Sequence, residues 1–408
     1  MKIIILTQYF PPEIGAPQNR LYEIAVRLVK KGVDVQVLTA MPNYPKMEID
    51  KPYKGKWYVR EDMGGMRVHR AWIWVSKSKG IVSRLLNYFS FVFTSLWIGL
   101  FKLDKADYLL CESPPLFLGI SAIVLRRSKK AKLIFNVSDL WPETAEKLGL
   151  ISSKFILNRT TKLEEYLYSK SALITGQTQG IVNNIKKRFP DKTLYWLPNG
   201  VDISFYDSIT TTSKWRDENS FATDDFLILY AGIIGHAQGL EVILKAAEMT
   251  KANPNIKWIL LGNGPEKKIL FSVKDEMKLH NVFFVESLPK VKMPGVWKAV
   301  DASVVPLKRL DLFKGALPSK IFEGLAMKKP LLLGVEGEAE ELFIKEGKAG
   351  LSFVPEDGSD LAKKAIYLFE HKAEATQFGE NGFEYVKAKF NRDSIAENFF
   401  TFLSSHLS

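Results

Sequence analysis

Lys320 and Glu323 stand three residues apart in the run Pro318-Ser319-Lys320-Ile321-Phe322-Glu323-Gly324-Leu325-Ala326. On a helix they share a face. An ammonium there can neutralise a diphosphate, and a carboxylate one turn on can accept hydrogen bonds from a ribose diol. The same spacing also makes a plain surface ion pair, worth about 0.2–0.5 kcal/mol. A second group is Tyr230-Ala231-Gly232-Ile233-Ile234-Gly235-His236-Ala237-Gln238-Gly239-Leu240, whose glycines let backbone N–H groups approach a phosphate at a helix start. Leu261-Gly262-Asn263-Gly264-Pro265 follows a further apolar run. Asp139, in Ser138-Asp139-Leu140-Trp141-Pro142-Glu143, can cap the segment after Pro142 or face a ligand, and the two roles are compatible. Tyr9–Pro17 carries Gly15 ahead of a helical pattern. Each group taken singly also fits an ordinary turn or cap.

The elements that must position these groups alternate. Short apolar runs at Lys2–Leu6, Val33–Leu38, Tyr108–Cys111, Leu133–Val137, Ala172–Thr175 and Thr193–Leu197 are separated by helical patterns. The pattern repeats at Phe226–Ala231, Lys257–Leu261, Val282–Val285, Ala302–Val305 and Leu331–Leu333. Such alternation predicts parallel sheets with helices on both faces, and ligands bind beyond the carboxyl ends of such strands. Two modules of similar size follow, 1–200 and 224–390. The polar stretch 201–223 is the expected linker, and an amphipathic helix lies near Ser394–Leu407.

The chain has 408 residues, 46% apolar and 25% charged, which excludes disordered, collagenous and disulfide-built classes. Its single cysteine, Cys111, permits neither an intrachain disulfide nor a cysteine zinc site. The apolar run at Ile3–Leu6 is too short for a secretory core of about 7–15 residues and reads as a buried strand. Before Gly200 there are 31 basic and 16 acidic residues, a net of +15; after it the net is −3. An anionic partner for the first module is therefore expected, though basic–aromatic repeats that would suggest nucleic acid are missing. Leu85–Phe101 holds 17 residues without a charge, flanked by Arg84 and Lys102. A helix of that length is about 25 Å long. It suits a buried core helix, a helix lying in a membrane interface through Phe91, Phe93 and Trp97, or a short span.

In order, the motifs YFPPEIG, PNYP (Pro42–Pro45), ESPPL (Glu112–Leu116), SDLWPE, NGVD (Asn199–Asp202), YAGIIGHAQGL and PSKIFEGLA followed by KKP resemble a family 4 glycosyltransferase. Within it, the chain is most similar to the branch that transfers N-acetylated amino sugars, such as N-acetylfucosamine, in bacterial O-antigen and capsule assembly. The resemblance implies an α/β fold of the GT-B type: two Rossmann-like, doubly wound parallel-sheet domains facing a cleft. It implies an N-terminal acceptor domain, with a terminal helix (391–408) packing back on it, and a C-terminal domain for a UDP-sugar. Gly15, Gly235, His236, Gln238, Asn263, Gly264, Leu288, Ser319, Lys320 and Glu323 would then contact the donor. Lys320 would hold the diphosphate, Glu323 the ribose and the loop at Leu288 the uracil. Asp139 would serve as acceptor-side base or hydrogen-bond partner. The family's glycine loop carries Arg and Lys where this chain has Ile233 and Gln238, which shifts the diphosphate onto Lys320 and helix dipoles. Gly315 stands where the family's glutamate touches the donor sugar.

The expected reaction is retaining transfer from a UDP-sugar to a polyprenyl-diphosphate-linked saccharide, without metal or other cofactor, at the cytoplasmic face of the inner membrane. The protein would be a peripheral or monotopic enzyme on an anionic membrane surface. No dedicated carboxylate nucleophile is evident, which favours front-face substitution. Two rival readings are a sugar-nucleotide 2-epimerase of the same fold and a non-catalytic two-lobed sugar- or nucleotide-binding protein.

Overall fold

Strands that are apolar on both faces must be covered on both faces, and Ile3, Ile4, Ile5 and Leu6 are all buried. The computed structural model describes every residue except 14, 45, 79, 148, 150, 208–213 and 408, and omits the side chains of 16, 17 and 81. Parts of the YFPPEIG and PNYP motifs and of the expected linker therefore lie outside the described residues. Two units form: Met1–Asn199 with Arg392–Ser408, and Gly200–Asn391.

The first unit holds eight strands: β1 (Lys2–Leu6), β2 (Asp34–Ala40), β3 (Tyr58–Met63), β4 (Met66–Ala71), β5 (Tyr108–Ser113), β6 (Lys132–Val137), β7 (Leu173–Gly176) and β8 (Leu194–Trp196). Their order is β3-β4-β2-β1-β5-β6-β7-β8, parallel except for β3 against β4. That hairpin escapes the apolar-run reading. β3 is Tyr-Val-Arg-Glu-Asp-Met, a half-exposed edge, and its two-residue turn, Gly64-Gly65, has both φ values positive, the setting glycine serves. The helix Arg392–Ser405 buries Ile395, Phe399 and Leu403 against this unit. It is tied by Arg27–Asp393 at 2.6 Å, by the Lys31–Glu397 pair, and by Tyr108, whose hydroxyl donates to the Leu403 carbonyl.

The second unit holds β9 (Phe226–Ala231), β10 (Ile256–Leu261), β11 (Val282–Val285), β12 (Ala302–Pro306), β13 (Leu331–Gly334) and β14 (Gly350–Ser352), in the order β11-β10-β9-β12-β13-β14. Between 201 and 223 the chain forms the helices Ile203–Asp207 and Trp215–Glu218. Trp215 is buried and stacked on Phe221. In each sheet the strand order reverses at one place, between β1 and β5 in the first and between β9 and β12 in the second. Loops leaving the carboxyl ends of those strands are where an open parallel sheet binds ligands.

Candidate active site

The loop after β9 is packed against the loop after β10. The Ile234 N–H donates to the Asn263 carbonyl at 2.9 Å. A Cβ at Gly262 would lie 1.8 Å from the Gly232 carbonyl oxygen, and one at Gly264 would lie 2.1 Å from that of Ile234. Two backbones at that separation tolerate no side chain, which is why both positions are glycine.

Lys320 opens the helix Lys320–Ala326 and reaches back to the end of β9. Its Nζ donates to the Tyr230 hydroxyl at 2.9 Å and lies 4.6 Å from the ring centroid. The Tyr230 hydroxyl in turn donates to the Ile233 carbonyl at 2.5 Å. A Cβ at Gly232 would stand 2.9 Å from Lys320 Cε, so the loop leaves room for the lysine stem. Burial lowers the Lys320 ammonium from its ordinary value to about 8, with the Glu323 charge opposing. No ion-pair partner lies within 4 Å of this ammonium among the described residues. It has one hydrogen bond, leaving donors for an anion.

The other expected donor residues are arranged unevenly. Gln238 folds its amide over Gly235: a Cβ there would meet Gln238 Oε1 at 2.9 Å. Asn263 is already engaged, donating to Glu286 at 2.8 Å and accepting from Lys267 at 3.0 Å. Leu288, half-buried, sits in the loop after β11, and Ser319 precedes the helix that presents Lys320 and Glu323. His236 is exposed and in contact with Lys308, whose Nζ lies 3.1 and 3.0 Å from its two ring nitrogens. Sequence reasoning missed Lys308, and it quoted Tyr230 only as the start of the glycine-loop motif, without its contact to Lys320. The strand order is what brings each lysine to the loop.

At the edge of the first sheet, Gly15 starts the helix Ala16–Lys30, and the Gln18 amide lies over it. Glu13 braces two loops, accepting from the N–H groups of Asn43 and Tyr44 at 2.8 Å and of Phe10 at 3.3 Å. Arg20, 2% exposed, donates to Glu112 and Ser138, each at 2.7 Å. Glu112 also accepts from Asn136 and Ser138. This buried network gives the Glu of ESPPL and the Ser of SDLWPE a shared task, which the motifs alone do not reveal. Asp139 follows β6, accepts from the Thr144 hydroxyl at 2.7 Å, and is half-buried. Burial raises its carboxyl above the ordinary value, against the hydrogen bonds from Thr144 and the Leu140 N–H. A carboxylate so raised is a better base near neutral pH.

The uncharged stretch lies within the helix Ile81–Lys102. Its polar residues explain its seating. Asn87 Nδ2 donates to the Trp74 carbonyl, Thr94 to the Trp72 carbonyl, and Ser90 accepts from the Trp74 N–H. Asn87, Phe91, Thr94, Ser95 and Ile98 form the buried face. Phe91 therefore belongs to the core, and its expected place at a membrane is corrected. It lies on the same helical face as Asn87 and Thr94, whose hydrogen bonds hold that face against the strand-end segment Trp72–Trp74. The other face exposes Val82, Leu85, Leu86, Phe89, Phe93 (61% exposed), Trp97 (53%) and Phe101, and Ile120 and Val124 of the neighbouring helix are also exposed. Arg84 and Lys102 are exposed at its two ends. Among the described residues this is the one helix long and apolar enough to cross a membrane, and its most apolar window is 39% buried. No cluster of three or more His, Cys, Asp or Glu able to hold a metal occurs among the described residues.

Residues 15–200 match the family described as glycosyl transferase 4-like domain, and residues 211–385 match glycosyl transferases group 1. The chain is 24% identical to the putative colanic acid biosynthesis glycosyl transferase WcaI of Escherichia coli, over 93% of this chain and 96% of that one. It is 22% identical to the lipopolysaccharide 1,2-N-acetylglucosaminetransferase of Salmonella typhimurium, over 76% and 81% respectively. The crystal structure of Anabaena Alr3699/HepE in complex with UDP and glucose superposes with a TM-score of 0.73 at 17% identity, covering 99% of this chain and all of that one.

Proposed function

Since the chain is a family 4 glycosyltransferase of the α/β GT-B fold, we propose that it transfers a sugar from a UDP-sugar to a polyprenyl-diphosphate-linked saccharide. The setting is cell-surface polysaccharide synthesis at the cytoplasmic face of the inner membrane. The observation that carries this reading is the Lys320 ammonium, seated on Tyr230 at the end of β9 with no carboxylate within 4 Å among the described residues. A diphosphate leaving group needs such a charge, and a cation shielded from water is worth more than one in solution. UDP accompanies glucose in the HepE structure, and WcaI is named for colanic acid biosynthesis.

The chemistry breaks the bond from the sugar's C1 to the diphosphate oxygen and forms one from C1 to the acceptor oxygen. The acceptor's proton leaves toward the departing diphosphate, and the new bond forms on the face just vacated, with retention. Asp139 orients the acceptor hydroxyl through its raised carboxyl. Donor contacts come from Gly15, Gly235, His236, Gln238, Asn263, Gly264, Leu288, Ser319, Lys320 and Glu323. An N-acetylated amino sugar such as N-acetylfucosamine is the preferred cargo. The apolar face around Phe93 and Trp97, with Arg84 and Lys102 beside it, meets an anionic bilayer in monotopic fashion. A sugar-nucleotide epimerase has no use for that face.

A panel of UDP-sugars tests the donor reading by protection against thermal unfolding, because a ligand of the native state alone raises its apparent stability. UDP and at least one UDP-N-acetylamino sugar should raise Tm. No shift with any uridine diphosphate would overturn the reading.

A further inference from the structure

The loop between Gly232 and Gly239 contributes no lysine or arginine of its own. A lysine from elsewhere meets it at each end: Lys320 against Gly232, and Lys308 against Gly239 and His236. We propose that Lys308 is a second cationic contact for the donor's diphosphate, replacing the charges missing at Ile233 and Gln238. The proposal rests on the donor reading above.

Four observations carry it. Lys308 leaves the carboxyl end of β12, the strand beside β9 at the point where the sheet order reverses, so its main chain starts at the ligand-binding edge. It is fixed to the loop twice. Its N–H donates to the Ala237 carbonyl at 3.0 Å, and its Cγ would be 3.1 Å from a Cβ at Gly239. Among the described residues its ammonium has no carboxylate partner within 4 Å, whereas two nearby cations are paired: Arg309 with Glu336 at 3.1 Å and Lys314 with Asp311 at 2.7 Å. Finally, its ammonium lies 3.1 and 3.0 Å from the two ring nitrogens of His236. That contact holds the ammonium at the exposed His236 without cancelling its charge. A purely structural lysine would be expected to close on a carboxylate, and Glu336 and Glu356 already serve the adjacent Arg309.

The test compares UDP with UMP as calorimetric probes of the full-length protein. Lys308→Gln keeps most of the stem against Gly239 and removes the charge. It should weaken UDP about tenfold and UMP much less, narrowing the ratio between them, and Lys308→Arg should restore most of it. Adding Ile233→Arg to Lys308→Gln should also recover UDP affinity. Equal losses for UDP and UMP, or no loss for either, would overturn the proposal. Lys320→Ala run in parallel separates the two ideas. If it weakens UDP while Lys308→Gln does not, only the second cation fails. If the unaltered protein binds neither nucleotide, the donor reading itself fails.

Discussion

A lysine held near pH 8 behaves differently from one held near 10.5. The Lys320 ammonium is charged below about pH 8 in the free protein, and burial is what lowers it. On the proposed reading a bound diphosphate would restore the preference for the charged form, so binding above that pH should take up a proton. UDP affinity should therefore be nearly flat below about pH 7.5 and fall by up to tenfold per unit as pH rises past 8. Titration calorimetry across that range in buffers of different ionisation enthalpy reads the proton directly. The neighbouring Tyr230 hydroxyl is pushed upward by burial and stays protonated throughout, and Glu323 is the acidic group acting on the lysine. Lys320→Ala should cut turnover at least a hundredfold, abolish the pH slope and weaken UDP; unchanged UDP affinity would remove Lys320 from the site. Asp139 is a different case, because the role proposed for it is on the acceptor side. Asp139→Asn keeps the hydrogen bond from Thr144 within reach, and should lower turnover while UDP affinity stays as it was. Full activity would reduce Asp139 to a turn residue.

The helix Ile81–Lys102 shows how one element can serve both a core and a surface. Its buried face carries Asn87, Thr94 and Ser95 because the strand-end segment Trp72–Trp74 leaves carbonyl and N–H groups that need partners. Its outer face carries Phe93, Trp97 and Phe101, each more than half exposed. The two faces make opposite predictions. Phe93→Ser with Trp97→Ser should leave Tm within a few degrees and reduce co-sedimentation with anionic vesicles several-fold. Phe91→Ala should leave vesicle binding intact and destabilise the unit by about 3–5 kcal/mol, the cost of emptying a buried phenylalanine site. Comparable vesicle binding by the double variant and the unaltered protein would deny this face a membrane role. The phase of the helix was legible in the sequence, since the polar residues at 87, 94 and 95 mark the inner face and place Phe91 with them. Grouping Phe91 with Phe93 and Trp97 without regard to helical phase is what misassigned it.

Across the whole molecule, the eleven apolar runs all became strands; nine are buried along nearly their whole length, as their composition requires, while the edge strands β8 and β11 are half-exposed. Three strands were not legible. β3 and β4 form a half-polar edge hairpin whose only local mark is Gly64-Gly65, and β14 is three residues long. The glycine loop, Lys320 and Asp139 could be read from residues near one another in the chain. The Lys320–Tyr230 contact, Lys308 and the Arg20–Glu112 pair could not, because strand order and helix packing, which are non-local, bring these side chains to their partners. The account as a whole stands on group transfer from a uridine diphosphate sugar to a lipid-borne acceptor. The most direct measurement follows a labelled sugar from the UDP-sugar that best protects the protein, incubated with membranes bearing polyprenyl-diphosphate saccharides. The account predicts label in the organic-extractable lipid, one UDP released per sugar moved, and loss of both with Lys320→Ala. Conversion of the UDP-sugar to an isomer without any acceptor, or binding with no UDP released, would contradict it.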